Sequence, residues 1–199
     1  MSKKVLVVYA TKSGSTVEVA EAVGKALAET GAQVDVKKAR EVQDISAYDA
    51  VVVGAPITLG WHKEAMEFVK RHQAALSQKP TAFFITCVNL TRSAENQVDG
   101  VAVYQDPALA HPPKNESKLS FKEKATVPAA YLEPILQKLP GVKPVSVGFL
   151  GGKLDYGTLD PLSWLLLKLV VRAKAGDNRH WDTIHAWGMS LGDALFKGE

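Results

Sequence analysis

Val5-Leu6-Val7-Val8-Tyr9-Ala10-Thr11-Lys12-Ser13-Gly14-Ser15-Thr16 is the stretch on which the fold turns. Val5 to Ala10 is a continuous β-prone apolar run, the pattern of a strand covered by helices on both faces. From Ser15 the period changes. Val19, Val23, Ala26 and Leu27 recur at helical spacing, while Glu18, Glu21, Lys25 and Glu29 take the other side, which predicts an amphipathic helix ending at Gly31. Ser15 and Glu18 stand at capping-box spacing, so each is expected to satisfy a free backbone donor at the helix start. Between strand and helix, Thr11 to Thr16 carries hydroxyls on four of six residues, and Gly14 lets the backbone turn tightly. Helix-start amides add a partial positive charge, and the combination suits a phosphate. The plainer alternative is a hydroxyl-rich turn that only caps its own helix.

Working outward, the alternation repeats. Strands are expected at 33–37 and 50–55, then a helix from 63 to about 77 with Ala65, Phe68, Val69, His72 and Leu76 inward, then a strand at 81–88. Further on come a short helix near 129–138, a strand at 145–150, and a last helix opened by Asp182 with Ile184, Trp187, Leu191 and Leu195 on one face. Five strands alternating with helices imply an α/β fold, a three-layer sandwich with right-handed crossovers and ligands beyond the C-terminal strand ends. Two segments break the rhythm: 91–128, polar and holding Pro107, Pro112, Pro113 and Pro128, and 151–178, which carries an apolar run. The chain, 1–199, is read as one domain with insertions after strands four and five.

Composition narrows the function classes. The 199 residues are 46% hydrophobic and 23% charged, which excludes a disordered, collagen-like or low-complexity chain. The 24 basic and 21 acidic residues leave a net charge of +3 without a long Lys/Arg block, so no nucleic-acid partner is expected. The single cysteine, Cys87, rules out an internal disulfide and Cys-Cys metal spacing, and fits a reducing cytosol. The six apolar residues after Lys4 are too few for a signal peptide, so Asn89 and Asn115 carry no weight as glycosylation sites. The most apolar run, 162–171, is interrupted by Lys168 and falls below the ~18 residues that span a bilayer.

The third strand leads into Gly54-Ala55-Pro56-Ile57-Thr58-Leu59-Gly60-Trp61, a small-residue loop with an aromatic at its end, emerging beside the phosphate loop. It suits a flat ring, although a lone Trp also packs readily on the next helix. No G-x-G-x-x-G follows the first strand, and Gly148 to Lys153 fails P-loop spacing with Leu154 in the Ser/Thr place. His62, His72, His111, His180 and His185 show no ligand spacing, so no metal is expected and they read as structural or solvent-facing. Cys87 ends an apolar strand and reads as buried and inert. Ser13, Ser15 and Thr16 have no base at a recognisable spacing, which argues against a hydrolase.

On these residues the chain resembles the flavodoxin family over nearly its whole length. Thr11-x-Ser13-Gly14-x-Thr16 is similar to that family's FMN phosphate loop, 56–61 takes the place of the loop flanking the flavin, and 86–91 that of the second flavin loop. Val88-Asn89-Leu90, the insertion after strand five and the tail Gly176-Asp177-x-Arg179-x-Trp181 look most like the group containing menaquinone-dependent protoporphyrinogen dehydrogenase. The segment 91–128 is longer than that group leads one to expect. The resemblance implies a flavodoxin-like sandwich of five parallel strands in order 2-1-3-4-5. It implies FMN as cofactor, held by Thr11, Lys12, Ser13, Gly14, Ser15 and Thr16 at the phosphate and by Pro56, Ile57, Thr58, Leu59, Gly60 and Trp61 beside the ring. Thr86, Cys87, Val88, Asn89 and Leu90 would form the second ring loop, with backbone of Gly60 toward flavin N5 and amides of Cys87 to Leu90 at the pyrimidine edge. No catalytic side chain is implied, because the flavin carries the redox chemistry.

The implied function is an FMN-dependent oxidoreductase passing electrons between a lipophilic small molecule and a quinone. A flavodoxin-type electron carrier serving another redox protein is the alternative; carriers of that family are usually markedly acidic, and +3 offers no acidic docking face. A flavin-free domain is a third reading, opposed by the intact phosphate loop. Within 159–174, Leu162, Leu165, Leu166, Leu169 and Ala173 share one helical face and Trp164, Leu167 and Val171 lie opposite, so a helix there needs two partners. Packing under the 91–128 loop is the plain reading. Contact with a membrane surface, a lipophilic substrate or a second copy in a homodimer is the sharper one, favoured by Trp164, Lys168, Arg172 and Lys174. The expected location is the cytoplasm, with peripheral contact at the inner face of the cell membrane.

Overall fold

The computed structural model describes residues 2–58, 60–155, 157, 165 and 175–196. Its strands are β1 (Lys4–Tyr9), β2 (Gln33–Lys38), β3 (Ala50–Pro56), β4 (Thr81–Cys87), β5 (Leu90–Thr91), β6 (Gln97–Val98), β7 (Val101–Gln105), β8 (Ala110–His111), β9 (Ser146–Gly151), β10 (Lys153–Leu154) and β11 (Gly176–Asp177). The helices are α1 (Ser15–Glu29), α2 (Lys63–Arg71), α3 (Gln73–Leu76), α4 (Phe121–Lys124), α5 (Pro128–Leu136) and α6 (Trp181–Phe196). The apolar helix read at 159–174 and Leu59 lie outside the described residues.

Fully buried strands form the centre of the sheet, whose order is β2-β1-β3-β4-β9-β7-β6. The first five of these are the five strands of the alternation, all parallel and in the expected order 2-1-3-4-5. The sheet is wider than expected, with seven strands, because the polar insertion returns to it: β7 pairs parallel with β9, and β6 antiparallel with β7. Val101 and Val103 are buried while Ala102 is exposed, the alternation of a half-buried strand.

Successive side chains of each central strand enter opposite layers. Val5, Val7, Val52 and Phe84 pack under α1 and α6, against Val23, Leu27, Trp187 and Leu191. Leu6, Val8, Val53, Phe83 and Ile85 face the other layer, with Phe68 and Val69 of α2 and Leu132 and Ile135 of α5. Burying one such side chain contributes about 1.5–3 kcal/mol, so the two layers fix which strand ends face the same way. Those C-terminal ends carry the site.

Two local expectations change. The helix expected over 63–77 is broken at His72 (φ −101°, ψ 14°), whose ring rests on Phe68 at 4.6 Å. The capping box expected at Ser15 and Glu18 is absent, because Gly14 is the N-cap, at φ 89°, and Ser15 is already helical. A capping box does form at Ser120, whose Oγ accepts from the Glu123 amide while the Glu123 carboxylate accepts from the Ser120 amide.

Candidate functional site

The loop after β1 turns because the Thr11 Oγ1 accepts the Gly14 N–H at 2.9 Å and the Gly14 carbonyl takes the Val17 N–H at 3.1 Å. Gly14 sits in the left-handed region with open space where a Cβ would stand, so its backbone conformation, not crowding, selects glycine. No side chain caps α1. The Ser15 and Thr16 amides, which this turn does not use, are left for an anion or for water.

This helix start opens into a cleft of about 380 Å³. One wall is Thr11, Lys12, Ser13, Ser15 and Thr16; a second is Pro56, Ile57, Thr58, Gly60 and Trp61; a third is Thr86 and Val88 with Gly152, Lys153 and Leu154. The 56–61 loop is pinned by the Ile57–Trp61 bridge, by Ile57 N–H on the Thr86 carbonyl at 3.0 Å and by His62 N–H on the Pro56 carbonyl at 3.1 Å. Gly60, in this loop, stands at φ 121°. Trp61 is only 6% exposed, tilted on Phe83 at 5.1 Å, with its Nε1 donating to the Ala55 carbonyl at 3.2 Å. Packing has won for this side chain, which braces the loop beside the cleft.

Four expected residues do not line the cleft. Cys87 is buried, and burial together with the nearby Asp106 carboxylate pushes its thiol up to about 12; its carbonyl accepts the Gly152 N–H at 2.9 Å. Leu90 turns into the core, and Asn89 gives its carbonyl to the Tyr131 hydroxyl at 3.0 Å. Asn89 and Leu90 border a separate small pocket with Thr91, His111 and Lys122. Gly14 lies on the outer side of the phosphate loop, with Glu18 and Asp155.

Five cleft residues escaped the sequence reading: His62, Lys63, Gly152, Lys153 and Leu154. His62 is half-buried, its Nδ1 accepts the Glu64 N–H at 3.3 Å, and burial, with Lys12 and Lys38 nearby, holds its imidazole below the ordinary value against the pull of Glu64. Lys153 and Leu154 of the third wall form β10, which pairs antiparallel with β11 and so brings the tail beside that wall. A Cβ on Gly151 would lie 1.7 Å from the Asn178 carbonyl oxygen, so the close approach needs glycine there.

The tail also explains the Asp177-x-Arg179-x-Trp181 pattern. The Arg179 side chain, 6% exposed, grips Asp177 through Nε at 2.7 Å and Nη2 at 2.5 Å, pairs with Glu18 of α1 at 3.1 Å, donates to the Ser15 carbonyl at 3.4 Å and lies 4.8 Å over the Trp181 ring. One guanidinium thus ties the tail to the first turn of the phosphate helix. His180 is structural: its Nδ1 is 3.1 Å from the fully buried Asp106, which also takes the Ala108 N–H at 2.9 Å. Among the described residues no His/Cys/Asp/Glu group could hold a metal ion, and no helix is long and apolar enough to cross a membrane.

Comparison with known proteins agrees with this geometry. A protoporphyrinogen IX dehydrogenase [quinone] of Escherichia coli strain K12 is 37% identical over 84 residues, 41% of this chain and 46% of that protein. The enzyme of the same name from Leishmania major is 35% identical over 94 residues, 45% of this chain and 40% of that protein. The matches thus span less than half the length of either relative. Among solved structures, a flavodoxin from the domain Archaea superposes with a TM-score of 0.52 over 96% of this chain and 98% of its own, at 14% identity, a likeness of fold alone. The flavodoxin domain family model matches residues 6–180, from β1 through the Arg179 tail, and the chain belongs to that family.

Proposed function

We propose that the chain is an FMN-dependent oxidoreductase that moves electrons between a lipophilic small molecule and a quinone. The observation that carries the reading is the junction, in one cleft, of an uncapped helix start with four neighbouring hydroxyls and a braced loop–loop slot. The donor set fits the group. Ser13, Ser15 and Thr16, with Lys12 beside them, suit a phosphate, and the slot between 56–61 and Thr86–Val88 suits a flat ring. FMN, once bound, supplies the hydride and single-electron chemistry.

The chain's own residues hold and orient. Thr11 fixes the turn that aims the first-turn amides of α1, and Trp61 keeps the 56–61 loop from collapsing into the slot. His62, held toward its neutral form, places an uncharged imidazole at the mouth. The names of the two relatives support quinone as acceptor and a tetrapyrrole as donor class. Lys12, Lys63 and Lys153 around the cleft give it a basic surround, unlike the acidic face of a carrier.

The test is an anaerobic absorbance titration with FMN, chemical reduction, then separate addition of menaquinone and, to oxidised enzyme, protoporphyrinogen. Binding followed by rapid reoxidation by quinone is expected. FMN binding without reaction toward either small molecule would move the assignment to an electron carrier, and no FMN binding in the wild type would overturn it. Ser13→Ala with Thr16→Ala is expected to weaken FMN at least tenfold.

A further inference from the structure

A second cavity, of about 540 Å³, lies on the other side of the 56–61 loop, between α2 and α5. The two cavities share Ile57, Thr58, Gly60, Trp61 and Lys63, so one loop is the wall of both. We propose that this groove is the binding site for a flat apolar molecule bearing carboxylates, its body on the groove floor and its carboxylates against Lys70 and Lys138.

The sequence builds the groove from two helical faces. On α2, Lys63, Met66 and Lys70 follow at i, i+3 and i+7; on and just beyond α5, Tyr131, Pro134, Ile135 and Lys138 follow at i, i+3, i+4 and i+7. Met66 of α2 and Tyr131, Pro134 and Ile135 of α5 supply apolar lining, and Lys63, Lys70 and Lys138 supply the basic part. The floor is rigid. Tyr131 is fixed by its hydrogen bond to the Asn89 carbonyl at 3.0 Å and by stacking on Phe149 with centroids 6.1 Å apart, and Ile135 is anchored in the core.

Charge selects the occupant. Lys63 is paired with Glu67 at 3.5 Å, both well exposed. Among the described residues no carboxylate lies within 4.0 Å of the Lys70 or Lys138 ammonium groups. An apolar floor with uncompensated cations at its edge complements an amphiphile whose charge is negative and peripheral. The volume falls in the range of pockets that enclose multi-ring molecules, and the shared loop puts such a molecule next to the cleft. The assignment rests on the oxidoreductase reading for its chemistry, but binding is measured without FMN.

The probe is protoporphyrin IX, flat and carrying two carboxylates, titrated into flavin-free protein by fluorescence at low salt, with its dimethyl ester as the uncharged match. Expected is saturable binding of the diacid that weakens at least tenfold in Lys70→Glu/Lys138→Glu, whereas ester affinity stays within twofold and the FMN titration is unchanged. Both lysines are exposed, so the variant keeps its fold, which an unchanged melting curve verifies. A second variant, Met66→Glu, places charge on the floor and is expected to weaken diacid and ester alike. Equal diacid affinity in wild type and the lysine variant, or no binding by wild type, overturns the groove assignment. Loss of FMN binding in wild type sinks the function reading while leaving the groove result intact.

Discussion

Replacing Arg179 with Met removes the cation while keeping an unbranched apolar stem over Trp181. The guanidinium is buried, yet its partners are not: Asp177 and Glu18 keep 43% and 58% of their side-chain exposure. Each pair is therefore worth closer to a surface bridge, up to ~1 kcal/mol, with the bidentate grip on Asp177 at the upper end. The stack on half-exposed Trp181 adds roughly 0.5–1 kcal/mol, and the 3.4 Å bond to the Ser15 carbonyl is too long to add much. The total is about 2 kcal/mol, a fall in melting temperature of roughly 4–8 °C for a chain of this size. Because Arg179 also holds the first turn of α1, FMN affinity in the variant is expected to fall several-fold. The pH dependence has a defined sign. Arg179 lowers the Asp177 pKa, so the pair's contribution is complete above the ordinary aspartate value near ~3.9 and is lost as pH falls through the depressed one. Scanning calorimetry from pH 7 to pH 3 should show the wild-type advantage over Arg179→Met shrinking at the acid end. A variant as stable as wild type at pH 7, or a difference independent of pH, would refute this account of the tail.

The Cys87 thiol, raised to about 12 by burial, is expected to ignore a thiol-specific chromogenic disulfide in native protein at pH 8 and to react fully in denaturant; native reactivity would show that the β4 end opens. The Glu123 carboxyl is held near about 2 by the Lys114 and Ser120 amides and the Ser120 hydroxyl, so carbon-detected NMR should find it still ionised at pH 3.5. Its cap contributes above the ordinary glutamate pKa and is lost as pH drops toward the depressed value; an unshifted titration would remove the cap from solution structure.

Apolar periodicity made the alternating core readable: β1, β3 and β4 are buried on both faces and show as uninterrupted runs, and the α1 stripe falls at helical spacing. What escaped was set by tertiary contact. The Val101-Ala102-Val103 alternation is too short to stand out inside a proline-bearing polar segment, so β7 read as loop. Ser15 and Glu18 carry capping-box spacing, yet a left-handed Gly14 moved the cap one residue back and freed Glu18 for Arg179, 161 positions on, a pairing no local pattern encodes. The same holds for the cleft's third wall. Lys153 and Leu154 reach it only because Gly151 admits the Asn178 carbonyl.

The choice between enzyme and carrier comes down to what stands around the flavin slot. A carrier needs an exposed flavin edge and a charged face for its partner; a second groove beside the slot does nothing for outer-sphere electron transfer. An enzyme must hold a substrate next to the ring long enough to react, which requires apolar area to desolvate it and charge to orient it. The groove between α2 and α5 offers both, and it is built by the same loop that borders the slot. Lys63, Lys70 and Lys138, three of the chain's 24 basic residues, line it. Charge reversal at Lys70 and Lys138 tests the groove's binding chemistry directly, and the FMN titration tests the function reading beside it.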